Sequence, residues 1–174
     1  MLADSNRTSL SPAISGLGET GIPGDAPLML AHVSLPTPRI RRVALRAIAR
    51  LQLEEHAAVF QQHLVDESPA VSREAMKALS KLVHILTGEE LWRVFSNYSL
   101  THVQRHVLFL IARLSKWESI AYLIAAAAAD NEEVASLAQR YIQRWIARFN
   151  SSFTSPTDSQ LLRSRRRSTN TGFF

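Results

Sequence analysis

The feature that most constrains this chain is a recurrence longer than any secondary-structure period. When Ile40-Arg-Arg-Val-Ala44, Val71-Ser-Arg-Glu-Ala75, Val103-Gln-Arg-His-Val107 and Val134-Ala-Ser-Leu-Ala138 are aligned, the leading β-branched residues stand 31, 32 and 31 apart. Four residues on come Ala44, Ala75, Val107 and Ala138; eight on, Ile48, Leu79, Ile111 and Ile142; eleven on, Leu51, Leu82, Leu114 and Trp145. Those offsets fall on one stripe of a helix, so each block reads as an amphipathic helix with a buried face.

Eleven residues before each leader stand Met29, Phe60, Trp92 and Leu123, an apolar column inside a second helical stretch. Short turns separate the two stretches: Asp66-Glu-Ser-Pro69, Ser99-Leu-Thr101 and Asp130-Asn-Glu132. Asp66 and Asp130 suit N-cap or turn positions, and Pro38 and Pro69 suit a first helical turn. The unit is a helix, a tight turn and a second helix. The pattern extends upstream through Ala13 and Leu17, with Met1-Leu-Ala-Asp4 placed like the end of a preceding helix. An array opening on such a stub is expected to have a frayed first unit, or to be the C-terminal piece of a longer array, because terminal repeats normally carry a polar cap.

A two-helix unit of this length with small residues at the hairpin contacts resembles the short HEAT repeats of the phycobilisome-lyase HEAT-like type. The resemblance is carried by Gly16-Leu-Gly-Glu-Thr-Gly21 with Asp25-Ala-Pro27, and by Asp66 with Val71, Ala75, Ala78 and Leu79. The family's Arg directly after Val survives only as Arg41, and the third full block is bulkier, with Phe109 and Leu110. The resemblance implies an all-α fold, a right-handed α-solenoid of about five helical hairpins over residues 1–149, whose second helices line a concave surface. Residues 150–174, rich in Ser, Thr and Arg, read as a disordered tail with at most a short helix near Gln160 to Arg163.

Composition narrows the chemistry. The 174 residues include no Cys, which removes disulfides and thiolate sites and suits a reducing, cytoplasmic setting. No apolar run approaches the roughly 20 residues a bilayer span needs, so no membrane partner is expected. The formal charge is +5, but Arg163, Arg165, Arg166 and Arg167 account for most of it: residues 1–160 hold 16 Lys and Arg against 15 Asp and Glu, a net of +1.

Within that nearly neutral body the charges are sorted. Two, six and ten residues after each leader stand Arg42, Arg73, Arg105 and Ser136; Arg46, Lys77, Phe109 and Arg140; and Arg50, Lys81, Arg113 and Arg144. Steps of four residues drift only about 40° around a helix, so these cations share a face. Acids gather at helix starts and in turns. Helix dipoles and Arg–Asp ladders account for some of this sorting. They do not account for Arg46, Lys77 and Arg140 in mid-helix. The reading is a basic groove formed by Arg42, Arg46, Arg73, Lys77, Arg105, Arg113, Arg140 and Arg144, holding an acidic protein or peptide. Nucleic acid, contacted by the groove and the Arg163 to Arg167 tail, is the alternative.

Catalysis finds little support. His102 and His106 share a helical face but lack a third ligand, so no metal or other cofactor is expected. The sequence has none of the His-Glu dipeptides that hold iron in HEAT-repeat deoxyhypusine hydroxylases, and no chromophore-handling motif like that of the lyases. Its serines have no matching base and acid. Trp92, Trp117 and Trp145 fall at repeat-related spacings and read as core; His56 and His63 read as surface or boundary residues. The chain is expected to be a non-catalytic interaction or scaffold module, with a lyase-type enzyme the remote alternative.

Overall fold

The computed structural model describes residues 5–149 and 155–163, with side chains from Leu10 onward. Met1 to Asp4 and the arginines Arg165 to Arg167 lie outside the described residues. Among those described, every regular element is helical, and the chain forms two compact units, Met1–Leu82 and Val83–Phe174.

The first unit contains α1 (Ser5–Thr20), a 3₁₀ turn at Pro23–Asp25, α2 (Ala26–Leu30), α3 (Pro38–Leu51), α4 (Ala57–His63) and α5 (Pro69–Leu79). Helices α2 and α3 pack as one hairpin and α4 and α5 as another, while α3 lies between α1 and α5. Thr37 and Ser68 are extended, and Pro38 and Pro69 then open α3 and α5 with φ already set for a helix. Helix α1 packs on α3 through buried Ile14 and through Gly18. A Cβ on Gly18 would stand 2.7 Å from the Cβ of Ala47, so only a hydrogen lets the two backbones approach this closely.

The second unit contains a 3₁₀ turn at Val83–Ile85, α6 (Gly88–Asn97), α7 (Thr101–Ile111), α8 (Lys116–Ala126) and α9 (Glu132–Ala147). A further short helix covers residues 158–163, where the sequence suggests one. Again α6 pairs with α7 and α8 with α9, and like helices lie side by side, α6 on α8 and α7 on α9. Thr87 and Glu90 form a capping box at the start of α6, each side chain taking a hydrogen bond from the other's backbone N–H. Asn131, rather than Asp130, caps α9, its Oδ1 accepting from Glu133 and Val134.

The repeated columns form the core. The leaders Ile40, Val71, Val103 and Val134 and the small residues Ala44, Ala75, Val107 and Ala138 are all buried. Ile48, Leu79 and Ile111 are buried as well, whereas the matching Ile142 of α9 is only half-buried. Tight helix contact at the Ala and Gly positions, with β-branched residues filling the space between, is the packing that this spacing implies.

Side-chain polar bonds repeat the period. His63 Nε2 meets the Val33 carbonyl, Asn131 donates to Thr101 Oγ1, Gly88 N–H donates to Glu118 and Trp145 Nε1 donates to the Lys116 carbonyl, across sequence separations of 30, 30, 30 and 29 residues. The first three join neighbouring hairpins within a unit, and the Trp145 bond ties α9 to the start of α8 in the same hairpin.

Two expectations change here. None of the three tryptophans is fully buried. In α6 the inward positions go to Leu91 and Phe95, and Trp92 lies on the flank, stacked on Phe95 at 4.8 Å and tilted against Tyr122 at 5.8 Å. Trp117 and Trp145 sit edge to face at 5.8 Å, and the indole N–H of Trp145 meets its need for a partner at the Lys116 carbonyl. His63, in contrast, is in the interior at 7% exposure, with Nδ1 2.8 Å from the Val59 carbonyl and Nε2 2.9 Å from that of Val33. It bridges α4 to the turn after α2, which gives a polar ring a reason to be inside.

Candidate functional site

The cations nominated from the sequence divide into two groups. In the first unit Arg41, next to them, donates through Nε and Nη2 to both oxygens of Asp66 at 2.9 and 2.7 Å, and through Nη1 to the carbonyls of Leu35 and Pro36. Asp66 Oδ1 also accepts from the Ser68 N–H at the turn before α5. This fork fastens α3 to the turn that opens α5. Arg46 does the same one face over, with Nε and Nη2 at 3.1 and 2.9 Å from the two oxygens of Glu74. Burial disfavours charge on the Glu74 carboxyl, but the hydrogen bonds and charge of Arg46, with Lys77 and Arg42 nearby, outweigh it and hold that carboxyl below the ordinary glutamate range. Hydrogen bonding to Glu74 and its charge together push the Arg46 guanidinium upward.

Arg42 is half-buried beside this pair, with its Nε out of solvent contact. Arg73 and Lys77 are exposed on α5 and make no ion pair among the described residues. The unit therefore commits Arg46 to structure and leaves Arg73 and Lys77 facing solvent.

In the second unit Arg105 pairs with Glu133 at 2.5 Å, both side chains about half exposed. Arg113, Arg140 and Arg144 are exposed and make no ion pair among the described residues. Two of them lie on rings: the guanidinium carbon of Arg113 is 5.4 Å from the Phe109 ring centre, and that of Arg144 is 5.7 Å from Tyr141. These contacts hold the two guanidiniums in place without neutralising them.

Around them is a cavity of about 460 Å³ within the second unit. Helix α7 and its C-terminal turn supply Phe109, Ala112, Arg113 and Leu114; α8 supplies Lys116, Ser119 and Leu123; α9 and its last turn supply Tyr141, Arg144, Trp145 and Arg148. Ser119 and Leu123 are fully buried and form its floor, and the cations are at its rim. No lining residue is acidic. Burial raises the Tyr141 phenol above its ordinary value even though Arg144, Arg140 and Arg105 all favour its charged form.

Beside the cavity, Lys116 caps an aromatic cluster. Its Nζ is 4.0 Å from the Phe149 ring centre, 5.2 Å from Trp117 and 5.9 Å from Trp145, and it donates to the Phe149 carbonyl at 2.6 Å.

Sequence reasoning named Arg113 and Arg144 but not Phe109, Lys116, Tyr141 or Arg148. One signal was present: Phe109 interrupts a basic column in the bulkiest block. The rest requires knowing that the ends of α7 and α9 converge. The cavity thus joins a buried floor to a rim that carries cations and no acid. The rings of His102 and His106 stand 6.1 Å apart, and no cluster of three or more metal-ligating side chains occurs among the described residues. No described helix is long and apolar enough to cross a membrane. Comparison with protein-family models and with curated proteins gives no match.

Proposed function

We propose that the chain is a non-catalytic interaction module: a right-handed α-solenoid of HEAT-type hairpins whose second helices present cations to an acidic segment of a protein partner. The observation that carries this reading is the contrast between Arg41, Arg46 and Arg105, which are spent on carboxylates of neighbouring hairpins, and Arg73, Lys77, Arg113, Arg140 and Arg144, which stay exposed at repeat-equivalent positions without one. Exposed like charges on adjacent helices repel one another, and the helix ends favour only Lys77 and Arg144 among them, so a binding role explains why they recur. The pairing of like helices and the polar bonds one period apart support the stacked-hairpin arrangement.

Rigid helices favour this use, because the cations are positioned before the partner arrives and little ordering entropy is lost on binding. Affinity purification from the source cells with the full chain, in parallel with an Arg73→Glu/Lys77→Glu/Arg144→Glu variant, tests the reading. Acidic proteins captured by the wild type and lost from the variant are the expected result. Capture unchanged by the charge reversals, or nucleic acid as the retained component, would overturn it.

A further inference from the structure

Resting on that reading, we infer that the cavity between α7, α8 and α9 is the anchor point of the interaction, taking one bulky apolar side chain of the acidic partner while Arg113 and Arg144 hold the carboxylates on either side of it. Three observations converge on this. The cavity joins an apolar floor, Leu123 with the flank of Trp145, to a cationic rim without any acid. Its volume of 460 Å³ lies in the range that encloses small ligands or large side chains, ~300 to 1,000 Å³. The cations also continue beyond it.

Arg140 and Arg144 stand four residues apart on α9, about 6 Å along the helix, and Arg113 lies across the cavity in the turn after α7. A single small anion needs one or two of them. An extended acidic chain crossing the mouth of the cavity meets all three, and the guanidinium forks match carboxylates in two-point geometry. The rings argue against a nucleotide base as the apolar group. Tyr141 and Phe109 each already carry a guanidinium, and Trp145 packs with Trp117, Phe149 and Lys116, so each of these rings is engaged with its own neighbours.

The test is fluorescence anisotropy with the full chain and a short fluorescein-labelled peptide of Asp and Glu surrounding a single Phe. A second peptide has Ala in place of that Phe and the same charge. The first peptide is expected to bind, the second about tenfold more weakly. Arg144→Glu is expected to weaken the first by a similar factor. Ala112→Phe, which fills the mouth without altering charge, should reduce the first peptide to the affinity of the second. Circular dichroism checks that each variant is folded; were Ala112→Phe to unfold the unit, the two peptides on wild-type protein decide alone. Equal binding of both peptides would overturn the anchor cavity and leave the acidic-partner reading standing. Failure of both peptides to bind would overturn the two together, and tighter binding of a mixed-sequence single-stranded RNA at the same salt would do so as well.

Discussion

The same chemical pair has different consequences at different depths. Arg41 and Asp66 are 15% and 9% exposed and satisfy each other in fork geometry, whereas Arg105 and Glu133 are 51% and 56% exposed. Removing one partner of the enclosed pair leaves an unmatched charge out of water, so Asp66→Ala should lower stability by about 3 kcal/mol. Glu133→Ala should change it by less than about 1 kcal/mol, because water screens the exposed pair. Urea unfolding of both variants checks the contrast. Glu74 adds a pH signature. Its folded carboxyl titrates below the unfolded one, so its stabilising contribution is complete above about pH 5 and is lost as pH falls through and below the ordinary glutamate value of about 4.3. Glu74→Gln should flatten that acid limb of a urea-midpoint against pH curve.

Among the helices, two positions limit what the hairpins tolerate. Gly88 opens α6 with its N–H donated to Glu118, and a Cβ there would run into the Tyr122 ring on α8. Gly88→Val should therefore force α6 away from α8 and cost about 1 to 3 kcal/mol, measurable as a lower thermal midpoint. At α9, Asn131 both caps two backbone N–H groups and donates to Thr101, so Asn131→Ala should cost about 1 kcal/mol or somewhat more. The core helices were readable before any coordinates, because Val71, Ala75 and Leu79 and their equivalents carry an unbroken stripe and end up buried. At α9 the spacing leaves Asp130 as cap or turn residue; it takes the turn and Asn131 the cap, since Asp and Asn are equally good cap residues and only the local backbone selects between them. The tryptophans were misplaced for a related reason: a repeat column fixes the side of a helix, but whether Leu91 or Trp92 faces inward depends on a rotation of the helix that spacing cannot resolve.

For the molecule as a whole, the cavity was the least legible element. Its parts come from three helices and become a site only where the ends of α7 and α9 converge over Ser119 and Leu123. The basic columns pointed to Arg113 and Arg144, but the same columns contain Arg46 and Arg105, whose carboxylate partners are 28 residues away in sequence. If the exposed cations bind an acidic chain, affinity should fall with salt, and the slope should shrink when Arg140 and Arg144 are both replaced by Gln. Titration of the acidic Phe peptide at several ionic strengths measures it. A slope unmoved by the double substitution would mean that those two charges take no part.

The bonds that join neighbouring hairpins differ between the two junctions that lie within the units: an arginine fork onto Asp66 and a histidine onto the Val33 carbonyl in the first, a glycine amide onto Glu118 and an asparagine onto Thr101 in the second. Similar hairpins could otherwise slip into one another's berths during folding, as near-identical bricks can be laid in any order. Here the two seams work like separately cut keys, and a hairpin seated out of turn would meet a neighbour whose lock it does not fit.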